Sequence, residues 1–240
     1  MAKNYCDHIR EWTDTFNSKG HCRLVFCGSE EAWLRERQNY ICASEAANLI
    51  GVGFRDNVSV WEDKIGIGKP IEQNELMEKG KKAEAHIRDL WAIDHGVEVY
   101  DGTHVVCVRT DMLDVNNNPF MSATLDGWFI DSDGEPCILE IKRSESPKVF
   151  LKDECPQRYT AQIFHQMAVT GFKKACLVAH ICWAENYGAK ELLSTRREYW
   201  FDGNDDTISR DINLLTNIEK KFWDKYVLTK TRPPKLLPAI

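Results

Sequence analysis

Two runs of strand-forming residues, Met121–Ile130 and Cys137–Lys142, flank the segment Asp131-Ser-Asp-Gly-Glu-Pro136, which is dense in turn formers. A chain so patterned is expected to double back there as a β-hairpin. Successive side chains on a strand alternate between faces, so Glu140 and Lys142 point one way while Leu139 and Ile141 pack on the other. The turn also brings back Asp126, which precedes Gly127, and sets it beside Glu140. Two carboxylates held together repel unless something positive lies between them. Oxygen ligands of this kind suit Mg²⁺ or Mn²⁺, which keep several waters and accept phosphate oxygens. The pattern therefore points to hydrolysis of a phosphodiester. Metal ions held by Asp126 and Glu140 would activate a water and offset phosphoryl charge. Lys142 would orient that water, stabilise developing charge, or act as base if its pKa were lowered. The bland alternative is a surface strand carrying an ordinary Glu-x-Lys pair.

Around this hairpin the periodicity predicts further elements. Glu30–Arg37 reads as a helix, and a second short helix is expected to start at Ser44, a good N-cap, and stop at Gly51. Gly51–Pro70 is rich in glycine and reads as a loop-rich connection. Leu76–His95 has the pattern of a long helix, with Leu76, Ala83, Ile87, Leu90 and Trp91 near one face. His104–Thr110 is a strand candidate set off by the turn signal Asp114–Pro119. Arg158–Gly171 returns to helix, Ala175–Trp183 and Arg197–Phe201 to strand, and Thr207–Leu228 to an amphipathic helix before Pro233-Pro234. The fold class implied is α/β (α+β), a central mixed β-sheet flanked by helices, in one domain spanning residues 1–240.

Composition sets bounds. A 43% hydrophobic fraction supports a sizeable core. No apolar run is long enough to span a membrane, and Met1–Arg10 lacks the apolar stretch of a signal peptide. Nine cysteines, an odd number without a CxxC pair, read as reduced core or surface thiols in a cytoplasmic protein. The net charge of −6 argues mildly against a duplex-coating protein. However, Lys142, Arg143, Lys148, Lys152 and Arg158 cluster mid-chain, and Lys220, Lys221, Lys225, Lys230, Arg232 and Lys235 near the end. Such patches steer a polyanion even on an acidic protein, although solvated faces explain them equally well.

Asp-x(n)-Glu-x-Lys on a hairpin is the signature of the PD-(D/E)XK nuclease superfamily, whose core is restriction-endonuclease-like. Within it the chain resembles the lambda exonuclease or YqaJ-type viral recombinase family. Glu31–Glu45 contains the family's Trp, Arg and Ile-x-Ala-Ser-Glu pattern, and Gly80-Lys-Lys-Ala-Glu84 its Gly-Lys-x-x-Glu helix. Tyr159–Gly171 resembles its Tyr-x-Ala-Gln helix with a trailing Val-Thr. These matches run in the family's order from about residue 31 to 171.

The resemblance implies roles residue by residue. Asp126, Glu140 and the Ile141 backbone carbonyl become metal ligands, Glu84 an active-site acid reaching metal directly or through water, and Gln162 the active-site glutamine. Arg37 and Ser44 resemble the pair that holds the 5′-phosphate of the digested strand, although Ser44 is also a plain N-cap and Arg37 also a solvated helix residue. Trp33 reads as a packing aromatic. His165 is better read as a structural histidine than as a DNA contact, and Arg55 is a weak candidate for contacting substrate. Residues before Glu30 have no assigned counterpart.

The activity implied is Mg²⁺-dependent, ATP-independent 5′→3′ digestion of linear duplex DNA. It leaves 3′ overhangs for a single-strand annealing partner in phage-type homologous recombination. Family members form ring-shaped homotrimers, and a phage or prophage origin is implied. The nearest alternative enzyme is a RecB-like or Cas4-like nuclease; the iron–sulfur members of that group need cysteines near the C-terminus, and here none follows Cys182. A restriction-type endonuclease fits the core motif alone. A non-catalytic DNA-binding recombination scaffold would require loss of a key ligand, yet Glu84, Asp126, Glu140 and Lys142 are all present.

Overall fold

A computed structural model describes residues 5–69, 74–150, 152–184 and 192–236. In chain order it contains α1 (Tyr5–Lys19), β1 (Cys22–Phe26), α2 (Glu30–Arg37), β2 (Ile41–Cys42), α3 (Ala43–Leu49), α4 (Asn57–Lys64) and α5 (Glu75–His95). There follow β3 (Val99–Asp101), β4 (Val105–Arg109), β5 (Met121–Ala123), β6 (Gly127–Ile130), β7 (Pro136–Ser144), α6 (Gln157–Thr170), β8 (Lys174–Ala184), β9 (Leu192–Asp202) and α7 (Asp206–Phe222). A π-helical turn, Trp223–Val227, extends α7.

The hairpin forms as its turn chemistry demands. Asp131 Oδ1 accepts the amides of Asp133 and Glu135, both at 2.9 Å, and Lys174 Nζ closes on Asp131 and Asp133 at 2.5 and 2.7 Å. Strand β6 then pairs antiparallel with β7, Gly127 opposite Leu139. Strand β7 pairs in parallel with β8, and α6 makes the crossover between them. Gly171 ends α6 at φ +73°, where a Cβ would lie 2.1 Å from the His21 ring, so no other residue fits this cap without displacement.

The architecture is mixed α/β, with its strands in two mixed sheets, β1-β4-β5-β2 and β3-β6-β7-β8-β9. Met121–Ile130 is accordingly not one strand. It pairs as β5 in the first sheet and as β6 in the second, and Thr124–Asp126 carries the chain across. Asp126 thus sits where the sheets part, a position that β-periodicity alone does not distinguish from mid-strand.

Three further expectations are corrected. Residues 51–69 are not simply loop: Asp56 accepts the Ser59 amide at 2.8 Å and caps α4, which buries Val58, Val60 and Trp61 (Pro70 lies outside the described residues). Helix α3 starts at Ala43, with Cys42 as N-cap and Glu45 accepting the Cys42 amide at 2.8 Å, so Ser44 lies inside the first turn. On α5 the Ile87–Trp91 stripe is buried, whereas Leu76 and Leu90 lie on its exposed flanks.

The segment before Glu30 is part of the fold, residues 1–4 lying outside the described range. From α1, Trp12 and Phe16 pack edge-on against Trp128 of β6, with centroids 5.5 and 5.8 Å away. The eight cysteines from Cys22 to Cys182 are free, and among the described residues no helix is long and apolar enough to cross a membrane. The C-terminal basic run is partly neutralised within the chain, by Lys220–Asp224 and Lys235–Asp56.

Candidate active site

The site is built outward from Glu140, whose carboxylate is 1% exposed in the middle of β7. A buried carboxylate is costly unless bonded. Here Oε1 accepts from Lys142 Nζ and from Gln162 Nε2 (2.5 Å), and Oε2 accepts from Gln166 Nε2 at 2.6 Å. Gln162 and Gln166 stand one turn apart on α6 and so face β7 together. The Gln166 amide also donates to the Thr124 carbonyl at 3.4 Å, while its Oε1 is buried with no partner. Two acceptors facing Nε2 fix which end of that amide carries nitrogen.

Asp126 lies across the hairpin, where its Oδ2 accepts the Ile141 amide at 2.7 Å. Burial, together with Glu140 and Glu84, pushes its carboxyl well above the usual carboxylate range. Glu84 on α5 is raised by burial and then by Glu140. Arg88, one turn further along α5, binds the Asp126 carbonyl at 2.7 Å and Asp101 at 3.0 Å, with Glu84 at 3.8 Å. For Lys142, burial opposes the charge, but Glu140 and Asp126 outweigh it and raise the pKa. In the metal-free site Lys142 therefore holds its proton.

Asp126, Glu140, Lys142, Gln162 and Glu84 are thus brought to one place, three carboxylates around one ammonium. Among the described residues no three His, Cys, Asp or Glu side chains converge at metal-ligand spacing. The donor set nonetheless fits a hard cation that takes one or two carboxylates and keeps its waters. It is oxygen-rich, sets three carboxyl groups against one ammonium, and adjoins the unpaired Gln166 oxygen.

Arg37 and Ser44 also meet. The Arg37 guanidinium donates to Ser44 Oγ at 3.2 Å and lies over the Trp33 ring, 4.3 Å from its centroid. The Trp33 indole donates in turn to Thr124 Oγ1 at 2.9 Å, which joins this pair to the strand leading into Asp126. Beneath it, Lys64 of α4 binds Glu45 at 2.8 Å and the Arg37 carbonyl at 3.3 Å.

Two candidates fall outside the site. His165 is 0% exposed, with Nδ1 against Glu219 Oε1 (2.7 Å) and Nε2 against the Ser122 carbonyl (2.9 Å), so it is a structural residue without access to DNA. Arg55 is committed to Asp63 at 2.6 Å and the Ser59 carbonyl at 3.4 Å, and its guanidinium is not held out for substrate. Sequence reasoning missed Gln166, Arg88, Thr124 and Lys64. The spacing of Gln166 from Gln162 was the one available signal; the others depend on tertiary placement.

The sequence profile of the YqaJ-like viral recombinase domain matches residues 32–173. No curated protein sequence matches significantly. Among solved structures, the alkaline exonuclease LHK-Exo from Laribacter hongkongensis superposes with a TM-score of 0.53 at 20% identity, covering 83% of this chain and 97% of that one. A structure of LHK-Exo in complex with dAMP gives the same values. A phage-related exonuclease from Haemophilus somnus 129PT gives a TM-score of 0.48 at 14% identity over 80% and 96% of the two chains.

Proposed function

From a chain that belongs to the YqaJ-like viral recombinase family, we propose a Mg²⁺-dependent, ATP-independent exonuclease that digests linear duplex DNA from 5′ ends and leaves 3′ overhangs. The observation that carries this reading is the meeting of Asp126, Glu140 and Lys142 on one hairpin, with Gln162 and Gln166 bracing Glu140 from α6. Asp126, Glu140 and the Ile141 carbonyl would hold Mg²⁺, with Glu84 reaching it through water; Mn²⁺ would substitute. The ion would neutralise phosphoryl charge and lower the pKa of a water.

The chain's own residues do the rest. Lys142 keeps its proton and donates toward the charge that develops on the phosphate. Gln162 orients the phosphate or the attacking water, and Gln166 prevents Glu140 from turning. Arg37 and Ser44 supply a guanidinium and a hydroxyl for the 5′-phosphate. Trp33 holds Arg37 from below and fixes its distance from Asp126 through Thr124. A homotrimer enclosing duplex DNA would let a net acidic protein remain bound without a basic surface. The overhangs would pass to a single-strand annealing partner in phage-type recombination, in the cytoplasm of a bacterial host.

End-labelled duplexes test the polarity. A 5′-phosphorylated strand should be digested faster than its 5′-hydroxyl twin, and Arg37→Ala should reduce that preference while leaving cleavage intact. Loss of nucleotides from 3′ ends, or indifference to the 5′ group, would reject the end assignment.

A further inference from the structure

Phe54 is 77% exposed, the most exposed large apolar side chain among the described residues. It stands between α3 and α4 on a segment that is rigidly built. The Asn48 side chain accepts the Arg55 amide at 3.1 Å, and the Arg55 guanidinium is tied to Asp63 at 2.6 Å. Gly53 packs so closely that a Cβ there would lie 1.9 Å from Asn48 Oδ1. A loop fastened at these points holds a phenyl ring in water, where its apolar surface gains nothing for folding.

What surrounds the ring suggests its occupant. The Arg158 guanidinium lies 4.5 Å from its centroid, and the Tyr159 ring is 6.5 Å away. Tyr159 stacks on Phe150 at 5.4 Å and 9°, and Lys142 Nζ lies 5.6 Å above the Tyr159 ring. An aromatic series therefore runs from the exposed Phe54 to Lys142, flanked by cations. Protein interfaces also enrich aromatic residues and Arg, but are depleted in Lys, and here the series ends on Lys142 in the candidate active site. Aromatics interleaved with cations instead match a nucleic-acid strand, whose bases stack while its phosphates meet the charges.

We infer that Phe54 is a stacking platform for a nucleobase of the strand whose phosphate reaches Lys142, with Arg158 contacting that nucleotide. This rests on the nuclease reading and adds a base-binding subsite to it. Stacking requires only a π-face, so the subsite would hold the strand without selecting sequence.

The test uses duplexes with 2-aminopurine in the terminal nucleotides of the digested strand, bound with Ca²⁺ in place of Mg²⁺ so that nothing is cut. Binding should quench the fluorescence at one position. Phe54→Ala should remove that quench and raise Kd by roughly 5- to 150-fold, and Phe54→Trp should keep both near wild type. An abasic nucleotide at the same position should weaken wild type to a similar degree and F54A no further. An unchanged Kd and quench in F54A would overturn the proposal. So would a changed oligomeric state with unaltered DNA affinity, which would assign Phe54 to a contact between copies. Binding and quenching without cleavage when Mg²⁺ is supplied would reject the nuclease reading and leave the subsite standing.

Discussion

Asp126 Oδ2 accepts the backbone amide of Ile141 at 2.7 Å, fixing the carboxylate beside Glu140. Burial, then Glu140 and Glu84, raise the Asp126 pKa in the folded protein. Between the unfolded value of about 4 and that raised value, the folded state binds the extra proton, so metal-free stability falls as pH rises. Asparagine keeps the amide bond and carries no charge. Asp126→Asn should therefore raise the Tm in EDTA at pH 8, and the gain should vanish as pH falls below about 4. A pH-independent gain, or a loss at pH 8, would contradict this electrostatic picture.

Gln166 reaches Glu140 Oε2 at 2.6 Å from deep within α6, without access to solvent. Gln166→Leu should lower kcat about 10- to 100-fold, the range for groups that orient a metal-binding side chain. KM for DNA should stay near wild type, because Gln166 is enclosed between α6 and β7. Steady-state kinetics separate this from a DNA contact, for which KM would rise.

Arg88 joins α5 to the hairpin through the Asp126 carbonyl and Asp101. Removing the buried guanidinium takes a donor from the Asp126 carbonyl, whereas Asp101 keeps the Thr103 amide and hydroxyl and its access to water. Arg88→Ala should cost about 1–3 kcal/mol in urea unfolding. A loss below about 1 kcal/mol would place this contact with ordinary surface ion pairs.

His165 and Glu219 pair inside the protein, with the Ser122 carbonyl on the other ring nitrogen. His165→Leu leaves the Glu219 carboxyl buried without its partner and should cost about 3–5 kcal/mol. Adding Glu219→Leu should recover part of that loss. Equal or greater damage in the double variant would show that the pair does not act as a unit.

The hairpin was legible in the sequence because its turn residues and its alternation agree, and Glu140 and Lys142 share a face for the same reason. Arg37 and Ser44 were recognised by family pattern, and the fold sets them in contact. Helix α4 was hidden because glycines flank it on both sides, although Asp56 as cap and Val58 and Trp61 three apart were its signals. The split of Met121–Ile130 was illegible, since both halves alternate as strands and only pairing partners differ. Trp12 and Phe16 at i and i+4 were a signal for α1 that the sequence reading did not take up, and nothing local shows that they cover Trp128.

Digestion of linear against covalently closed duplex, with Mg²⁺ or EDTA, measures the central claim most directly. Wild-type protein should degrade linear duplex only with Mg²⁺ and leave closed circles intact, and Glu140→Ala and Lys142→Ala should abolish degradation while each remains folded. Comparable attack on closed circles, degradation in EDTA, or full activity in either variant would contradict the account.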